Sequence, residues 1–110
     1  MSLTIRTDFG CTEAIIDDDC GLKRFYEVAD ILSEDLSILF TAKRKEIDTL
    51  TWNFSFRDQQ LTLHYNIYTG ISLYPFMFGL AVHKDNEAVI ELADFLEQKL
   101  MVHTTRRYYS

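Results

Sequence analysis

The chain has 110 residues, 47% of them hydrophobic and 14% aromatic, which predicts one domain, 1–110, with a packed core. Its 17 acidic and 11 basic residues give a net charge of −6, which argues against nucleic acid and anionic membranes as partners. No apolar run approaches the roughly 20 residues of a membrane span, the start does not read as a secretory leader, and two cysteines suit a reduced interior; a cytoplasmic location is therefore expected.

Leu3 to Thr7 reads as a short strand, and Gly10 permits a turn after it. Thr12 to Ile16 either forms a second strand or extends the first. Asp17-Asp18-Asp19-Cys20-Gly21 then opens a helix over about 21–35. Leu22, Phe25, Ala29, Leu32 and Leu36 follow the spacing of one helical face, and Asp19 is the N-cap candidate. From Ser37 the composition turns β-rich, predicting a strand near 37–43. The basic run Lys43-Arg44-Lys45 follows, then a polar turn around Ile47-Asp48.

Residues 50–75 alternate with period two. Leu50, Trp52, Phe54 and Phe56 interleave with Thr51, Asn53, Ser55 and Arg57. Leu61, Leu63, Tyr65 and Ile67 interleave with Thr62, His64, Asn66 and Tyr68, and Ile71, Leu73 and Pro75 with Ser72 and Tyr74. Such alternation puts the apolar residues on one sheet face and predicts a three-stranded meander. Its turns fall at Arg57-Asp58-Gln59-Gln60 and Thr69-Gly70. A last helix is expected over about 86–101, capped by Asp85 or Asn86, with Val89, Leu92, Ala93, Leu96 and Leu100 as its stripe. The basic-aromatic tail from His103 has no clear periodicity.

The fold class is therefore α+β: one antiparallel sheet, made of the meander, an N-terminal strand and the strand near 37–43. Both helices pack on its apolar face. A split or barrel-like sheet is the alternative.

Chemistry-bearing motifs are sparse. Cys11 and Cys20 lack C-x-x-C spacing and the three histidines are scattered, so no metal site is expected. Asp17-Asp18-Asp19 lacks the rest of a calcium loop and suits a charged turn. No phosphate loop, nucleophile elbow or zinc-protease motif occurs, and no cofactor is expected. Lys43-Arg44-Lys45 suits a charged edge strand, with anion or single-strand binding as the functional alternative. His64 could serve as a general base among hydroxyls and amides, but no partner lies at a predictable place.

Two surfaces stand out instead. The polar side of the meander holds Asn53, His64, Asn66, Tyr68 and Tyr74 and is almost free of charge, a composition that suits recognition. The second is the apolar cluster Phe76, Met77 and Phe78, which either plugs the core or anchors a partner. The expected function is a non-catalytic protein-interaction module, of adaptor, immunity or chaperone kind, with a protein partner or a second copy. The alternative is a small-ligand binder or modest enzyme around His64.

Overall fold

The computed structural model describes residues 3–8, 10–18, 21–76 and 83–109, with the side chains of 8 and 101–109 left aside. In chain order the elements are β1 (Thr4–Asp8), β2 (Cys11–Asp17), α1 (Leu22–Leu36), β3 (Phe40–Lys45), β4 (Thr49–Phe56), β5 (Gln59–Asn66), β6 (Gly70–Pro75) and α2 (His83–Tyr109). The six strands form one antiparallel sheet in the order β1-β2-β6-β5-β4-β3. The sheet is open, and both helices cover one of its faces.

The meander pairs as its alternation requires. Trp52 lies opposite Leu63, Phe54 opposite Leu61, and Leu63 opposite Leu73. Phe54, Leu61, Leu63, Ile71 and Leu73 have no exposed surface. They meet Phe25, Val28 and Leu32 of α1 and Val89, Leu92 and Leu96 of α2 in one cluster of buried residues. Each such side chain contributes roughly 1.5–3 kcal/mol through burial. An edge-to-face pair of Phe25 and Trp52, 5.0 Å between centroids, seats α1 over the β4 side of the sheet.

The uncertainty over Thr12 to Ile16 resolves as a hairpin, with β1 and β2 turning at Gly10, φ 76°. Ala14 of β2 lies opposite Leu73 of β6, so the hairpin flanks the meander. A bulge between Ile15 and Asp17 lets Ile16 face the core and still buries Asp17, whose carboxylate lies 3.7 Å from the Arg24 guanidinium.

Several boundaries differ from the sequence reading. The strand expected near 37–43 begins only at Phe40 and runs through the basic residues to Lys45. Ser37 instead ends α1 in the left-handed region at φ 55°, and the Ile38 N–H bonds back to the Leu32 carbonyl at 3.2 Å. The N-cap of α1 is Gly21, with no side-chain cap, rather than Asp19, which lies outside the described residues. The turn after β4 takes only Arg57 and Asp58, at φ 52° and 66°, which is the two-residue turn that suits strand twist. Ile67 and Tyr68 leave the alternation for the β5–β6 turn, which closes on Gly70 at φ 84°.

The last helix starts at His83, before the expected boundary, and continues to Tyr109. The segment read as an aperiodic tail thus has helical backbone. Asn86 does not cap this helix. It sits within the first turns, where its Oδ1 accepts from the Thr12 N–H at 2.9 Å and its Nδ2 donates to the Gly10 carbonyl at 2.8 Å. An amide can do both at once, so one side chain fastens α2 to the β1–β2 hairpin. Further along, Glu91 meets Arg57 at 2.8 Å and Lys99 meets Asp35 at 3.1 Å.

Candidate functional site

The sheet face opposite the helices is bare among the described residues. Period two delivers polar side chains there from five adjacent strands. One row runs Ala42, Asn53, Thr62, Tyr74 across β3, β4, β5 and β6. The next runs Arg44, Thr51, His64, Ser72, Ile15 from β3 to β2. Glu13 of β2 projects on the same side, where it is held 2.6 Å from Arg6 of β1.

Neighbours in these rows are bonded to each other. Thr62 Oγ1 donates to Asn53 Oδ1 at 2.8 Å. Thr51 Oγ1 and His64 Nδ1 share a hydrogen bond of 3.0 Å. The His64 and Tyr74 rings lie 6.1 Å apart. Glu13, His64, Thr69, Ser72 and Tyr74 line a shallow, open depression. Thr62, beneath its neighbours, is only 2% exposed, although it faces away from the core.

Burial pushes the His64 imidazole below its ordinary value of 6.5, against a weaker pull upward from Glu13 and Glu46. The shift favours the neutral ring, one nitrogen of which is engaged by a hydroxyl. Burial, then Glu13, raises the Tyr74 phenol, which stays protonated. The depression thus offers neutral donors and acceptors beside one carboxylate.

The expected site residues separate into three groups. Asn53, His64 and Tyr74 come together on the bare face. Asn66 closes the β5–β6 turn, its Oδ1 accepting from the Tyr68 N–H at 2.7 Å. Tyr68 belongs to that turn and is 76% exposed, away from the rows where alternation had placed it. Phe76 follows β6 and is 51% exposed, with its N–H bonded to the Gln60 carbonyl at 2.9 Å. Met77 and Phe78 lie outside the described residues. Sequence reasoning missed Arg6 and Glu13. The signal was present, since Glu13 and Ile15 alternate with Ala14 and Ile16, but it required Thr12 to Ile16 to be a strand paired with the meander.

Cys11, one residue from the Asn86 latch, is a free thiol and only 1% exposed. Burial first, then Asp85 and Glu13, raises its pKa, so it lacks the thiolate character of a nucleophile. No helix among the described residues is long and apolar enough to cross a membrane.

The chain belongs to a family described as Protein of unknown function (DUF3630), whose model matches residues 4–100. That span ends at Leu100, a residue of α2 in the core cluster. No curated protein and no solved structure matches the chain.

Proposed function

We propose that this chain is a non-catalytic protein-interaction module that docks a protein partner on the bare face of its sheet. The observation that supports this reading is the pairing of Asn53 with Thr62 and of Thr51 with His64 on an uncovered surface whose centre is uncharged, with Arg44 and the Arg6–Glu13 pair at its margins. Side chains already held in place lose little freedom on binding, and amides, hydroxyls and a tyrosine suit a polar protein interface. A solvated face with no partner would tolerate lysines and glutamates at these positions.

Site-specific photo-crosslinking tests it. A photoreactive residue at Ser55 or Ser72 should give one discrete adduct in cells, and the same residue at Asp30 on α1 should give none. An adduct of two copies would identify the partner as the chain itself. Adducts from Asp30 alone, with none from the sheet face, would defeat the reading.

The alternative, a small-ligand site, draws support from the clustering of Glu13, His64, Ser72 and Tyr74 around one depression. It would be favoured by saturable chemical-shift changes at His64 and Tyr74 in a screen of polar fragments.

A further inference from the structure

The edge formed by β3 differs from the rest of the molecule. It is one of the sheet's two terminal strands, the other being β1, and pairs only with β4. Thr41 to Lys45 are all exposed, on both faces of the strand. With a neighbour on one side only, alternate N–H and C=O groups along its regular stretch, Ala42 to Lys45, point outward. Beside this edge lies an aromatic shelf on the helix side. Trp52 there is half-buried, with Tyr26 at 5.9 Å and Phe40 at 5.1 Å between ring centroids. The Lys43 ammonium lies 4.3 Å from the centre of the Trp52 ring.

The charge is equally local. Lys43, Arg44 and Lys45 are consecutive in a chain of net charge −6. Arg44 meets Glu46 at 3.0 Å, with both side chains well exposed.

We propose that β3 receives an extended acidic segment of a partner polypeptide as a seventh strand. Its backbone completes the open hydrogen-bond ladder. Its carboxylates meet Lys43 and Lys45, and an apolar side chain rests on the Tyr26–Trp52 shelf. Main-chain bonds supply affinity in this mode, and alternate side chains supply selectivity. A second copy fits poorly, because joining two β3 edges sets like charges across the new ladder. A nucleic acid backbone carries the negative charge but has no regularly spaced N–H donors along it to pair with the strand carbonyls. The outward edge of β3 and its helix side, with Lys43, Lys45 and the Trp52 shelf, are separate from the bonded pairs of the bare face, so the inference stands independently of the function proposed there.

The test uses the ¹⁵N-labelled full chain with three synthetic peptides. They are an acetylated octapeptide with Glu and Val taking turns at every second position and Thr between them, its counterpart with Lys for Glu, and the Glu/Val peptide interrupted by two prolines. The Glu-Val peptide should shift the amides of Ala42 to Lys45 and the Trp52 indole in a saturable way. Binding should fall at least tenfold for Lys43→Glu/Lys45→Glu, and at least tenfold for the proline peptide. The Lys-Val peptide should not bind. Absence of binding at millimolar peptide, equal binding of the proline peptide, or shifts centred elsewhere would overturn the proposal. So would unchanged binding in Lys43→Ser/Lys45→Ser accompanied by self-association, which would make the lysines only a guard against pairing.

Discussion

Strands β4 to β6 present two faces built by the same alternation but held by different forces. On the helix side, Phe54, Leu61, Leu63 and Leu73 are sealed beneath α1 and α2, and hydrophobic burial and packing hold them. On the other side, Thr51, Asn53, Thr62 and His64 are held by hydrogen bonds to one another across the strands. The covered face therefore carries the stability of the fold. The bare face carries little of it, and its bonded pairs are already in place before anything meets them.

Truncation should separate the faces most sharply. Phe54→Ala should lose about 3–5 kcal/mol in urea unfolding, whereas its neighbour Ser55→Ala should stay within about 0.5 kcal/mol. Similar losses for the two would break the distinction. Next come the two glycine turns. A Cβ on Gly70 would collide with the backbone carbonyl of Asp17, while one on Gly10 meets nothing within 4 Å. Both have positive φ, so Gly10→Ala should cost about 1–2 kcal/mol of backbone strain, and Gly70→Ala clearly more. Thermal unfolding of the pair measures the difference.

Asn86→Ala should cost about 1–3 kcal/mol, because it strands the Thr12 N–H and the Gly10 carbonyl at once. Faster hydrogen exchange at Thr12, with little change at Leu63, would place the loss in the β1–β2 hairpin.

The smallest effect is on pH. The His64 pKa is lower folded than unfolded, so below about 6.5 the unfolded chain binds more protons. Its contribution is thus fully present above the unfolded value and declines as pH falls through the folded one. His64→Gln should flatten that part of the decline. Parallel curves for the two proteins between pH 7.5 and 5 would show that the His64 environment is the same in both states.

Much of the fold was legible because period two is unambiguous once three strands share it. The meander, the two helical stripes and the shared face of Asn53, His64 and Tyr74 followed directly from spacing. The rest depended on long-range contacts. Asn86 reads as a helix cap by type and position, yet its partners are Thr12 and Gly10, more than seventy residues away in sequence. Tyr68 and Ile67 continue the alternation by type, but the turn onto Gly70 takes them out of the strand. Ser37 looks β-compatible locally, and the packing of Ile38 against α1 makes it a helix end instead. Glu13 could enter the site only after β2 was matched to β6.

That match also bears on how the protein is made. Ala14 pairs with Leu73, so β1 and β2 leave the ribosome long before the strand that completes them. At about 5–20 residues per second, the wait lasts roughly 3–12 s. Meanwhile the apolar side of β2 stays uncovered, and the edge that will pair with β6 keeps its N–H and C=O groups open.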